Sequence, residues 1–196
     1  QSLANAMVSI GKMAGKKVTA LLTDMEAPLG YAIGNALEVK EAINTLRCGG
    51  EKRFTKLCIE LSALMLSLGG KGSEEDCRAL ATHALESGKA LNAFEAMVAA
   101  QGGNTEVIYQ TELLPQADTV KAVTATKSGY ITKQDALLYG RAALELGAGR
   151  KRKEDGVDHA AGIILNKKYG DKVEEGEDIA YLHTNRGETV AEALRL

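Results

Sequence analysis

Seven apolar side chains, Phe54, Leu57, Cys58, Leu61, Leu64, Met65 and Leu68, recur at spacings of three and four, the clearest helical period in the chain. Side chains so spaced share one face of a helix, and that face needs a partner to bury it. A second constraint lies upstream. Residues 2–14 carry a helical pattern through Leu3, Met7 and Ile10, Gly15-Lys16-Lys17 is a polar exit, and residues 18–22 read as a buried apolar strand ending at Thr23-Asp24. Helix, short exit and continuous apolar strand make an αβ unit, which predicts an α/β fold with helices flanking a mixed sheet.

Further helices follow the strand. After Pro28-Leu29-Gly30 the pattern predicts a helix over 34–46, with Ala36, Val39, Ile43 and Leu46 on one face, closed by Cys48-Gly49-Gly50. Gly69-Gly70-Lys71-Gly72 breaks the Phe54 helix, and it lacks both a preceding strand and the spacing of a phosphate loop, so it reads as an interhelical turn. Ser73 caps the next helix, whose first turn, Glu74-Glu75-Asp76, suits a positive helix terminus. Cys77, Leu80, Ala81, Ala84 and Leu85 line its inner face, and Leu91, Phe94, Met97 and Val98 give one more stripe. Beyond Leu114-Pro115 the chain turns β-prone, with strands expected over 120–125, 130–132, 163–165 and 179–183 and a helix over 135–146. The expected division is an α/β part over residues 1–113 and a C-terminal α+β part over residues 114–196.

With 45% apolar and 26% charged residues and a net charge of −2, the chain can build a core but offers no electrostatic reason to bind nucleic acid or an anionic membrane. No apolar run is long enough to span a bilayer, and a secretory leader pattern is missing, so a cytoplasmic protein is expected. Cys48, Cys58 and Cys77 lack metal or redox spacing, and the latter two fall on apolar helix faces, which predicts reduced core thiols. Gln1 opens directly into helical periodicity, and the amphipathic pattern after Thr189 stops short of a full helix, which predicts a piece of a longer protein.

Candidate chemistry from residue patterns alone is sparse. Asp155, Asp158 and His159 stand at i, i+3 and i+4, so one helical turn would gather them, as an ion-pair network or a metal or acid–base cluster. Arg150-Lys151-Arg152-Lys153 reads as a solvated helix exit. His83 and His183 have no comparable neighbours. Gly170 to Ile179, with Gly176 between them, resembles the hairpin of biotinyl and lipoyl carrier domains, with Ser128-Gly129-Tyr130-Ile131 as the complementary hairpin. The methionine-flanked lysine of a carrier is missing, so the hairpins predict a hammerhead-like sandwich and no swinging arm. Taken by themselves, Pro28 to Glu41 read as a strand-turn-helix junction with Glu41 on a solvated face.

Several segments in order carry a family resemblance: Thr19-Ala20-Leu21-Leu22-Thr23-Asp24-Met25, Pro28-Leu29-Gly30, Gly34-Asn35-Ala36-Leu37-Glu38-Val39-Lys40-Glu41, Ser87-Gly88-Lys89-Ala90, Met97-Val98-Ala99-Ala100-Gln101-Gly102-Gly103, Ser128-Gly129-Tyr130, Gly147-Ala148-Gly149-Arg150 and Lys153-Glu154-Asp155. Together they resemble roughly the second half of the pyrimidine-nucleoside phosphorylase and thymidine phosphorylase family. The resemblance implies phosphorolysis of uridine- and thymidine-type nucleosides, with phosphate as co-substrate and an intact parent that is a homodimer. It places the family's phosphate loop and base-contacting residues in the first half, so no catalytic residue carries over and these residues alone are expected to be inactive. It implies one site here: a monovalent cation, potassium, held in part by the carbonyls of Leu29 and Ala32 and the carboxylate of Glu41. The competing class is a non-catalytic scaffold that retains the fold.

Overall fold

The computed structural model describes residues 1–196. Its helices are α1 (Ser2–Met13), α2 (Asn35–Leu46), α3 (Lys52–Leu68), α4 (Glu74–Glu86), α5 (Lys89–Ala100), α6 (Ala136–Leu146) and the short α7 (Val190–Ala193). The strands are β1 (Ala32–Gly34), β2 (Thr119–Thr124), β3 (Gly129–Tyr130), β4 (Gly162–Leu165), β5 (Lys172–Val173) and β6 (Asp178–Thr184). The class is α/β, helices with a β-rich C-terminal region.

Side-chain caps open three of the seven helices. Ser73 Oγ accepts the Asp76 amide at 3.1 Å while the Asp76 carboxylate accepts the Ser73 amide at 3.3 Å, a reciprocal cap ahead of the acidic first turn of α4. The Glu51 carboxylate accepts the Phe54 amide at 2.7 Å to open α3. Asp135 Oδ1 accepts the amides of Leu137 and Leu138 at 3.1 and 3.2 Å to open α6.

The main sheet has the order β1-β4-β6-β2, and every pairing is antiparallel. Ile33 faces Ile163, and Ile163 faces Leu182, so successive strands bring branched side chains into one layer. α6 lies against that layer, and Leu146, Ile163, Leu165, Leu182, Ala142 and Ala143 form the centre of the core. The tight approach of β1 to β4 depends on glycine at both Gly34 and its register partner Gly162. A Cβ on Gly162, whose φ is +156°, would overlap the Ile33 carbonyl oxygen and crowd Leu37. That approach also lets the Ala36 amide donate to the His159 carbonyl at 3.0 Å. A second sheet pairs β3 with β5, and the Glu175 amide donates to Ser128 Oγ at 2.9 Å, which joins the two hairpins read from the sequence.

Several expectations need correction. Residues 18–22 are not a strand: none of the six strands runs beside them, and Leu21 and Leu22 are exposed. An apolar run becomes a strand only with a ladder partner, and the chain first supplies one at β1, which begins at Ala32. Because each strand of the main sheet runs opposite to its neighbour, the sheet is antiparallel and not mixed. The apolar face of α3 is mostly uncovered: only Ala63 is buried on that helix, and Met65 is 66% exposed. α3 packs side by side with α4, pinned by the paired Glu60–Arg78 ion pair at 2.8 and 2.9 Å, and that packing hides only part of the stripe. α1 has no buried residue at all. Cys77 is buried, but Cys58 is exposed despite its place on the stripe, as is Cys48.

No helix is long and apolar enough to cross a membrane.

Candidate functional site

Where the turn over residues 28–31 enters β1, three distant parts of the chain meet. Glu41 projects from α2, and its two carboxylate oxygens accept backbone amides, Oε1 from Tyr31 at 2.7 Å and Oε2 from Ala32 at 3.2 Å. Helical spacing makes this possible, since Glu41 lies nearly two turns into α2 and reaches back towards the strand that precedes the helix. Gly30, which is buried, leaves room for that carboxylate: a Cβ there would overlap it unless the Glu41 side chain shifted. In the β1–β4 ladder the Tyr31 carbonyl accepts the Leu165 amide at 2.8 Å. Alternation along a strand therefore turns the Ala32 backbone away from β4, and its amide meets Glu41.

The third part is Lys168, from the turn between β4 and β5. Its Nζ donates to the Leu29 carbonyl at 2.7 Å and the Gly30 carbonyl at 3.0 Å, and lies 5.1 Å from the centre of the Tyr31 ring. Lys168 is only 8% exposed. Its own backbone is fixed by Asp171, whose Oδ2 accepts the Lys168 amide at 2.8 Å. Burial pushes the Lys168 ammonium pKa down, a shift opposed chiefly by the negative charge of Glu51. The Tyr31 phenol moves up, first through burial and then through the negative charges of Asp171, Glu51 and Glu41.

Outside this cradle lies an open, largely apolar cleft of about 840 Å³. Pro28, Leu29, Phe54, Leu114, Pro115 and Tyr139 line it, and Glu38, Glu41 and His159 supply its polar edge. Glu38 is already engaged, with Oε1 accepting the Gly34 amide at 2.9 Å.

Leu29, Ala32 and Glu41, the residues named for a cation, thus lie around one turn. The oxygens of two of the three already hold donors. Both Glu41 oxygens hold amides, and the Leu29 carbonyl holds an ammonium. A hard inorganic cation gathers several free oxygens around itself, so with Lys168 in place this set does not fit one. No reading of residue patterns found Lys168. It sat in the sequence as an ordinary charged residue before a glycine turn, and its partner Leu29 is 139 residues away.

The Asp155, Asp158 and His159 cluster is not assembled on a helix, because α6 ends at Leu146 and residues 151–160 are bends, turns and irregular backbone. The Asp155 carboxylate accepts the amides of Lys151 and Arg152 at 3.1 and 2.8 Å. Asp158 accepts the Ala160 amide at 2.9 Å and the Asn185 side-chain amide at 3.2 Å. Each carboxylate braces loop backbone. The basic run 150–153 lies in the same loop rather than at a helix end, with Lys151 paired to Glu145.

Residues 130–196 match the family model described as the pyrimidine nucleoside phosphorylase C-terminal domain. Over 187 residues the chain is 48% identical to the pyrimidine-nucleoside phosphorylase of Staphylococcus aureus strain bovine RF122 / ET3-1, an alignment that takes in 95% of this chain and 43% of that relative. The corresponding proteins of strains USA300 and NCTC 8325 match at the same identity and coverage. The chain therefore spans less than half the length of these relatives, and corresponds to their C-terminal part.

Proposed function

From a chain that over 95% of its length is similar to the C-terminal part of pyrimidine-nucleoside phosphorylases, we propose that these residues are the C-terminal part of such an enzyme. The reaction is phosphorolysis: a phosphate oxygen bonds to the anomeric carbon of a pyrimidine nucleoside as the bond to the base nitrogen breaks. The electron pair leaves with the base, which takes up a proton, and the sugar becomes a pentose 1-phosphate. Uridine and thymidine are the substrates of this reading, with Pro28-Leu29-Gly30-Tyr31 as its support for broad specificity. Rate in such a reaction comes from a positioned phosphate and from donors facing the departing base. Nothing around the Glu41 cradle does either, and its role is to fix the wall of the cleft.

The observation that carries the reading is the continuous similarity across both the 28–41 turn and the C-terminal hairpins. The test is phosphate-dependent cleavage of uridine. The full-length protein turns over and the 196-residue polypeptide does not; robust turnover by the polypeptide alone would place catalytic groups within it and overturn the reading. A full-length protein that folds but lacks turnover on both nucleosides would favour the non-catalytic scaffold.

The same reading takes the intact enzyme to be a cytoplasmic homodimer, supported by the apolar stripes left uncovered on α1 and α3. Light scattering of the full-length protein checks this, and a monomer at micromolar concentration removes it. It also includes a monovalent cation, potassium, at Leu29, Ala32 and Glu41. The ammonium of Lys168 on the Leu29 carbonyl does not fit that part.

A further inference from the structure

Between α2, α3, α4 and α5 lies an interhelical cavity of about 220 Å³, which shares only Ala42 and Phe54 with the cleft. Leu46, Phe54, Ile59 and Leu85 give its wall bulk, while Ala42, Ala81 and Ala90 leave it open, each presenting a methyl group where a longer side chain would fill the space. The wall carries no charged side chain. Its threonines are engaged elsewhere: Thr45 Oγ1 donates to the Glu41 carbonyl and Thr55 Oγ1 to the Glu51 carbonyl, each at 2.8 Å and four residues back along the chain. Both spend their donors on backbone, so Ser62 is the one lining hydroxyl with a donor to offer. An occupant therefore meets methyl and ring surface more than hydrogen-bonding groups. Cavities of roughly 150 Å³ with apolar walls stay dry and take up benzene or xenon. Cys58 marks the entrance, as the single exposed residue of the lining. Partial withdrawal from water pushes its thiol pKa up, so it borders the opening as a neutral, polarisable group.

We propose that this interhelical cavity is a binding site for a small apolar molecule the size of a single aromatic ring, entered past Cys58. Burial of the ring against Leu46, Phe54, Ile59 and Leu85 supplies the affinity, and Ser62 is placed to orient a polar substituent. Because Ala42 and Phe54 line both spaces, an occupant packs against the wall of the cleft. The inference stands on the cavity alone and holds whether or not the protein phosphorolyses nucleosides.

The test uses the full-length protein and benzene, with pyrazine as a polar ring of the same size. At several times its dissociation constant, benzene is expected to raise the melting temperature by roughly 2 °C and to slow alkylation of Cys58 by iodoacetamide about threefold or more, as mass action requires of a ligand that covers the thiol. Peptide mass spectrometry reads the rate, and the exposed Cys48, which does not line the cavity, is the internal control. Pyrazine is expected to do neither. Ala81→Leu puts a branched side chain into the cavity from α4 and is expected to abolish both benzene effects; Ser62→Leu fills it from α3 and takes its place should Ala81→Leu fail to fold. A melting temperature and a Cys58 rate that benzene leaves unchanged, a pyrazine response equal to that of benzene, or a benzene response that survives the filling substitution each overturns the proposal. So does a Cys58 that iodoacetamide never reaches, which would show another part of the full-length chain lying over the entrance.

Discussion

Gly30 and Glu41 show how one side-chain position settles the local chemistry. A methyl group at residue 30 would occupy the space of the Glu41 carboxylate, which would then release the amides of Tyr31 and Ala32. Gly30→Ala is expected to lower stability by about 2 kcal/mol, the order of cost for leaving partly buried donors unmet. Gly140→Ala, in α6 with open space around it, is expected to be neutral or stabilising by up to about 1 kcal/mol. Urea denaturation of the two variants side by side checks the contrast, and equal losses would remove the packing argument. His183 gives a different kind of prediction. Burial, and secondarily the positive charge of Lys40, holds its imidazole pKa below the usual value. The unfolded chain therefore takes up the proton first, so the His183 contribution is complete above about pH 6.5 and is lost as the pH falls through the depressed folded value. A melting-temperature profile from pH 7.5 to 5 is expected to flatten in His183→Gln; an unchanged profile would show that His183 does not contribute.

Between elements, the decisive contact is β1 on β4. A three-residue edge strand has few ladder bonds, and Gly34 opposite Gly162 lets the backbones come close enough to make them. Gly162→Ala forces a Cβ onto the Ile33 carbonyl oxygen at a positive φ, so β1 is expected to detach, with a loss of 2 kcal/mol or more, roughly the combined cost of strain and unmet backbone groups. Amide exchange at residues 31–33 should rise together with that loss. Exchange that stays slow while stability falls would locate the damage elsewhere. The same contact explains why Lys168 reaches Leu29: β4 carries the turn over residues 166–171 into the vicinity of the turn that β1 anchors.

At the scale of the molecule the distribution of buried residues is uneven. The core lies between α6 and the main sheet, while α1 buries nothing and exposes Met13 to 87%. A twelve-residue helix without tertiary support is marginal in water. In the 196-residue polypeptide, amides of α1 are therefore expected to exchange within seconds by mass spectrometry, and those of β4 and β6 far more slowly. Protection in α1 equal to that of β4 would show that the helix has found cover.

The sequence by itself determined the helices and their ends, because caps, glycine exits and three-four periodicity are local: Ser73 with Asp76, and Asp135 ahead of α6, act within one turn. It also carried, through collinear short segments, the family likeness that the similar proteins bear out. Tertiary structure alone decided which apolar residues have partners. Residues 18–22 and the α3 stripe look as apolar as β4, but burial and strand pairing belong to pairs of segments. It alone decided as well that Glu41 would hold amides, and that the Leu29 carbonyl would meet an ammonium 139 residues away. A hydrogen bond between side chain and distant backbone leaves no period or spacing in the sequence from which it could be read.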